Sequence, residues 1–332
     1  MLFTQDIGID LGTSFTSVCV KGKGVVFREP SVVAVDVTAQ EKKVVAVGKA
    51  AKDMIGRTPG SVVAVKPIRD GVIADYSITT EMLRVMIKKA LGNTYFSRAR
   101  LMISIPSGVT EVERRAVHMA ARDAGARYVS LIESPMAAAI GAKLPINETR
   151  GSMVVDIGGG STEIAVLSMG DIVMSNAVRV AGDHLDEGII DYLKARHSLL
   201  IGERTAEDIK IKIGSAYHYD GEAALDVRGR NLQDGLPRNI EITSEEIREA
   251  LYEKVQQIAR AVKTALEKTP PELVSDILDR GIVLTGAGAQ LRSLDRLLRA
   301  ELKMPVALAA EPSKCVINGI LFCLQSNSLE KL

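Results

Sequence analysis

Val154-Val155-Asp156-Ile157-Gly158-Gly159-Gly160-Ser161-Thr162-Glu163, followed by Ile164-Ala165-Val166-Leu167, decides how this chain is read. Apolar residues lead to an aspartate, glycines and hydroxyls turn the chain, and apolar residues lead away, which predicts a strand, a tight turn and a returning strand. Glycine admits positive φ and lets successive N–H groups approach an anion with no Cβ in the way, so such a turn can cradle phosphate oxygens. Asp156, at the end of the first strand, would face whatever cation accompanies them. A glycine run alone is more often an ordinary hairpin. This one has an echo: Ile7-Gly8-Ile9-Asp10-Leu11-Gly12-Thr13-Ser14-Phe15-Thr16, then Ser17-Val18-Cys19-Val20, repeats the same grammar. The two aspartates lie 146 residues apart, about one domain. A duplicated fold that clamps one nucleotide between two hairpins follows.

No G-x-x-x-x-G-K-[ST] is present, and neither glycine turn opens directly into a helix as a P-loop or dinucleotide fingerprint must. The phosphates are therefore expected on hairpins. Asp10-Leu11-Gly12-Thr13 and Asp156-Ile157-Gly158-Gly159-Gly160 resemble the two phosphate loops of the actin, sugar kinase and heat-shock chaperone ATPase superfamily.

With 332 residues, 46% hydrophobic and 25% charged, the composition is that of a globular protein long enough for two domains. Lys plus Arg number 42 against 41 Asp plus Glu, a net charge of +1, so nucleic acid is not expected as a partner. Met1 to Asp6 has no basic segment and Asp6 and Asp10 interrupt the apolar residues, so neither a signal peptide nor a span is expected, and the location is expected to be cytoplasmic. Cys19, Cys315 and Cys323 with His118, His184, His197 and His218 show no metal spacing and read as packing or surface residues.

The pattern along the chain predicts a small inserted subdomain from about 32 to 75, an amphipathic helix from Ser77 to Leu91, and a buried strand ending at Pro106. Thr110 with Glu113, and Thr243 with Glu246, fit capping boxes. Thr205 also reads as a cap, opening a helix with Glu207, Lys210 and Ile211 on one face. Tyr219 to Ile242 reads as a β hairpin subdomain. Gly286-Ala287-Gly288-Ala289 reads as a glycine turn at a helix N-terminus, suited to a polar ligand, and Ser313 to Leu324 as a helix that returns to the first domain.

Glu29-Pro30-Ser31-Val32-Val33-Ala34, Gly71-Val72-Ile73-Ala74-Asp75-Tyr76, Val112-Glu113-Arg114-Arg115-Ala116, Pro135-Met136-Ala137-Ala138-Ala139-Ile140-Gly141 and Ile201-Gly202-Glu203-Arg204-Thr205-Ala206-Glu207 resemble the MreB family of bacterial actins, and the resemblance covers essentially the whole chain. It implies an α/β fold of the actin-like kind: two related, ribonuclease H-like domains around a nucleotide cleft. The first is expected over 1–142 plus 312–332 and the second over 143–311, with its own small subdomain at about 181–242. It further implies ATP or ADP with Mg2+ as cofactors and paired protofilaments of the chain itself. Sibling MreB paralogues and the cell wall synthesis machinery are implied as partners, and the location as peripheral on the inner face of the cell membrane. By position, Asp10 and Asp156 would hold hydrated Mg2+, and Gly12, Thr13 and Ser14 with Gly158, Gly159 and Gly160 would wrap the phosphates. Glu207, Asp208, Ile209 and Lys210 would meet the ribose and adenine, with Gly286, Ala287, Gly288 and Ala289 behind the adenine.

Glu133-Ser134-Pro135 stands where that family has two glutamates before the proline, and the residue directly before the proline orients the attacking water in related ATPases. Ser134 cannot accept a proton as a carboxylate can. Glu133 is an imperfect stand-in, because neighbouring side chains at a strand end point opposite ways. Ser134 also suits an N-cap with Pro135 at N1. Glu133, Ser134 and Ser161 are thus the candidate catalytic set, with low activity expected. Ala181 and Ala287 stand where the family commonly has Gly, and an added methyl near the adenine is expected to loosen nucleotide binding. Tyr95 and Phe96, beside Arg98 and Arg100, read either as a membrane-facing tip or as aromatics tucked against their own domain. A nucleotide-binding partner that assembles without turnover stays open as the alternative function, and a chaperone-type ATPase is a weaker one.

Overall fold

Two five-stranded sheets built on one plan carry the two hairpins. In the computed structural model, which describes residues 4–38, 43–57, 60–92 and 98–326, the first sheet runs Ala126–Glu133, Arg98–Ile105, Thr4–Leu11, Phe15–Val20, Gly24–Pro30. The second runs Val306–Leu308, Ile282–Thr285, Ser152–Ile157, Thr162–Ser168, Asp171–Val178. In each, the strand that ends in the aspartate is central. It pairs antiparallel with its hairpin partner and parallel with a strand that arrives through a crossover.

Register fixes what shares a face. Asp10 lies opposite Ser17, which lies opposite Arg28. Asp156 lies opposite Glu163, which lies opposite Ala177. Directly opposed residues point to the same side of a sheet, so each aspartate is flanked on its own face by these partners.

The strands of the second hairpin are buried along their whole length, as expected for a sheet covered by helices on both faces. Helices Gly182–His197 and Ser244–Lys268 cover one face. Between the two sheets, Ser134–Gly141 and Cys315–Gln325 pack with Cys19 and Met102 of the first sheet and Val154, Ala165 and Leu167 of the second. Gly141 and Gly319 let these helices cross with backbones nearly touching: a Cβ on Gly141 would lie 1.8 Å from the Cys315 carbonyl oxygen, and one on Gly319 1.9 Å from that of Ala137.

Both capping boxes form, at Thr110 with Glu113 and at Thr243 with Glu246. Three local expectations fail. The helix expected to start at Thr205 spans Glu203–Ile213, because the extended backbone of Gly202 already serves as its N-cap and puts Glu203 at the positive end of the helix dipole. Ser134 is the first helical residue rather than the cap. Its hydroxyl donates to the Ile105 carbonyl at 3.1 Å on the neighbouring strand. The turn after Ile282–Thr285 does not open an α-helix: Gly288–Gln290 form a single 3₁₀ turn, Ser293 takes φ of 59°, and the helix proper is Leu294–Leu302.

Two smaller, three-stranded sheets accompany these. One is built from Lys43–Val47, Val33–Asp36 and Val62–Val65, the other from Leu199–Leu200, Ala224–Asn231 and Pro237–Thr243. Tyr95 and Phe96 lie outside the described residues.

Candidate functional site

The two glycine turns interlock. A Cβ on Gly159 would sit 1.9 Å from Ser14 Oγ, and one on Gly160 would sit 2.6 Å from Thr13 Oγ1 and 2.8 Å from the Asp70 backbone. The hydroxyls tie the turns to other segments: Ser14 Oγ donates to the Asp183 carboxylate at 2.8 Å, and Thr13 Oγ1 accepts from the Gly71 N–H at 2.9 Å. Beside them lies a cleft of about 560 Å³, the size of a small-molecule site.

Most of the expected residues line this cleft: Asp10, Gly12, Thr13, Ser14, Ser134, Asp156, Gly158, Gly159, Gly160, Ser161, Glu207, Lys210, Gly286, Ala287 and Gly288. Four do not. Asp208 is exposed and Ile209 is buried in the core, because they sit about 100° and 200° around the helix from Glu207, whose face continues instead through Lys210, Ile211 and Gly214. Ala289 is packed into the same core. Glu133 lies outside the lining, its carboxylate accepting from Ser107 Oγ. Ser17, Arg28, Glu163, Asp183 and Asp186 line the cleft without having been anticipated.

Ser17 and Glu163 were legible in principle. Both follow from counting across a hairpin whose aspartate faces the ligand, since cross-strand partners share a face. Arg28 needed the pairing of a third strand, and Asp183 and Asp186 needed the position of a helix that arrives from outside the sheet.

Each aspartate is held by a hydroxyl from the parallel neighbour strand: Ser104 Oγ donates to Asp10 at 3.0 Å, and Thr285 Oγ1 to Asp156 at 2.7 Å. Burial, then repulsion from Asp156, pushes the Asp10 carboxyl up to about 7. Burial raises Asp156 to about 6, and burial with repulsion from Asp156 raises Glu163 to about 8. The Arg28 guanidinium lies 4.0 Å from the Phe15 ring centroid and acts on Asp10 from the mouth of the cleft.

A floor of carboxyls this reluctant to ionise fits a bound cation. Among the described residues no three His, Cys, Asp or Glu side chains converge to ligate a metal directly. Two aspartates at the glycine turns would suit a hard divalent cation held through water.

The raised values set a pH dependence. A carboxyl whose folded value exceeds its unfolded one stabilises the protein most below the unfolded value and loses that contribution as pH rises through the folded one. For Asp156, Asp10 and Glu163 the loss runs from about 4 to about 8. The thermal midpoint of the nucleotide-free chain is expected to fall between pH 5 and pH 8, and Asp10→Asn to flatten that fall. An equally steep profile in Asp10→Asn, followed by scanning calorimetry, contradicts the assignment.

Lysines of the first small subdomain reach across the cleft. Lys52 Nζ lies 2.7 Å from the Glu207 carboxylate, and Lys66 Nζ lies 3.3 Å from that of Asp183 and 3.1 Å from that of Glu203. Lys210 Nζ lies 2.8 Å from Asp186 and donates to the Gly182 carbonyl at 2.8 Å. The cleft is thus bridged by paired lysine and carboxylate side chains.

Comparison with known proteins matches residues 4–331 to the family described as MreB/Mbl protein. The chain is 53% identical to the cell shape-determining protein MreB of Escherichia coli strain K12 over 96% of its own length and 92% of that protein's. It is 50% identical to the cell shape-determining protein Mbl of Bacillus cereus over 98% of its own length and 97% of that protein's. Among solved structures, MreB5 of Spiroplasma citri bound to ADP superposes with a TM-score of 0.94 at 37% identity, covering 100% of this chain and 99% of that one. The same protein bound to AMPPNP gives 0.92 at 37% identity, covering 99% of each chain.

Proposed function

This chain belongs to the MreB/Mbl family and has its actin-like fold, and from that membership we propose that it binds ATP and ADP in the cleft, assembles into paired filaments of itself and helps determine cell shape. The observation that carries the reading is the pair of register-matched aspartates, Asp10 and Asp156, each at the end of a central strand and each beside a glycine turn that meets the other. The ADP and AMPPNP complexes of the related MreB5 support it.

In this reading the N–H groups of Gly12, Thr13 and Ser14 and of Gly158, Gly159 and Gly160 hold the phosphates. Glu207 and Lys210 meet the ribose and adenine, with Gly286, Ala287 and Gly288 beside the base. Asp10 and Asp156 anchor hydrated magnesium, which when bound offsets phosphate charge. Contact of the Glu207 carboxylate with ribose hydroxyls competes with its ion pair to Lys52, so nucleotide occupancy and closure of the cleft are linked.

Hydrolysis is slow in this proposal, because Ser134, which lines the cleft, has no carboxylate to orient water. The second reading, a sibling filament's partner that binds nucleotide without turning it over, rests on the same serine. No described helix is long and apolar enough to cross a membrane; we propose that the chain attaches to the inner face of the membrane through the segment holding Tyr95 and Phe96. Sedimentation with and without ATP, phosphate release, and flotation with anionic liposomes test these together. Pelleting that rises with ATP and flotation that falls in Phe96→Ser are expected; pelleting indifferent to nucleotide removes the filament reading.

A further inference from the structure

Resting on the reading of the cleft as an ATP site, we propose that Lys66 is a positioning residue for the phosphates: acting from outside the cleft, it holds and neutralises Asp183, the carboxylate that joins the two glycine turns.

Three segments meet at Asp183. Its N–H donates to the Gly159 carbonyl of the second turn at 2.8 Å, one carboxylate oxygen accepts from Ser14 Oγ of the first turn at 2.8 Å, and the other lies 3.3 Å from Lys66 Nζ. The backbone bond, at the start of the helix Gly182–His197, leaves the side chain little freedom to move off the turns. Ser14 and Asp183 line the cleft, whereas Lys66 does not, so Lys66 reaches a ligand only through Asp183. Lys66 directly follows the strand Val62–Val65, and farther along the same segment the Gly71 N–H donates to Thr13 Oγ1 at 2.9 Å. One short segment therefore holds both hydroxyls of the first turn, Thr13 directly and Ser14 by way of Asp183.

Charge matters here as much as geometry. A bare carboxylate against the turns repels the phosphates that the turns are to admit. Lys210, which lines the same cleft, is committed to Asp186 at 2.8 Å. Among the described residues Lys66 is the cation paired with Asp183. Burial works against the Lys66 charge, but Asp183 and Glu203 outweigh it, so its value is raised and the cation persists. Without Lys66, Asp183 keeps its bond from Ser14 and turns an unpaired charge toward the ligand.

A plain clamp is the competing explanation, because Lys66 Nζ also lies 3.1 Å from the Glu203 carboxylate on the helix Glu203–Ile213. Glu203 is exposed and lies outside the cleft lining. Its removal loosens the clamp and leaves the charge of Asp183 compensated, which separates the two roles.

The test measures ATP affinity by calorimetry, beside the melting temperature, for the natural chain, Lys66→Met, Glu203→Gln and the double variant Lys66→Met, Asp183→Asn. Lys66→Met is expected to weaken ATP binding about tenfold, the size of the effect of one unit charge roughly 10 Å from another at an effective dielectric constant of about 20. Glu203→Gln is expected to stay within about twofold, as for an exposed ion pair. Asp183→Asn removes the charge and keeps an acceptor for Ser14 Oγ, so the double variant is expected to recover most of the affinity, which a broken clamp does not allow. Unchanged affinity in Lys66→Met, an equal loss in Glu203→Gln, or no recovery in the double variant each overturns the assignment. Failure of the natural chain to bind ATP overturns the functional reading and this assignment with it.

Discussion

Ser134→Glu is expected to speed phosphate release by about 10²-fold, the low end of what a positioned carboxylate contributes. The side chain at 134 lines the cleft, and its present hydroxyl is turned to the Ile105 carbonyl rather than to a ligand. A carboxylate there can leave that carbonyl and extend toward the terminal phosphate. The cost is one buried hydrogen bond, about 1 kcal/mol. It is not the loss of a helix cap, since Ser134 lies inside the first turn and Glu133 makes no capping bond through its side chain. Phosphate release measured beside the melting temperature separates the two effects. A rate unchanged in a well-folded variant means that turnover is limited elsewhere, by assembly or product release.

How far the sequence carried the fold depends on the range of the interactions involved. The two hairpins were legible because strand, aspartate and glycine turn are contiguous, and so were the capping boxes at Thr110 and Thr243, which need only four residues each. Ser134 was misread as a cap because its actual partner, Ile105, is 29 residues away in sequence. Asp208 and Ile209 were included with Glu207 and Lys210 by adjacency, although the helical period turns them to solvent and core. Glu163 was overlooked for a different reason. Its place opposite Asp156 follows from the hairpin, but its burial, and its bond to Ser107 from the other half of the chain, exist only once the two sheets face each other.

Asp156→Ala is expected to abolish most of the magnesium dependence of ATP binding, lowering affinity in the presence of magnesium by roughly 10- to 100-fold, the loss typical when a group that orients a metal's shell is removed. Folding is expected to survive. Asp156 is a buried carboxyl whose ionisation burial already opposes, and its removal leaves only Thr285 Oγ1 without its acceptor. Asp10, relieved of its neighbour's charge, then moves down from about 7 toward the ordinary carboxylate range. In the proposed site, two hairpins from two sheets clamp one nucleotide through both aspartates. Calorimetric titration of ATP into the natural chain and into Asp156→Ala, with and without magnesium, tests it most directly. Magnesium-dependent binding is expected in the natural chain and weak binding nearly indifferent to magnesium in the variant; undiminished magnesium-dependent affinity in Asp156→Ala contradicts the two-hairpin clamp.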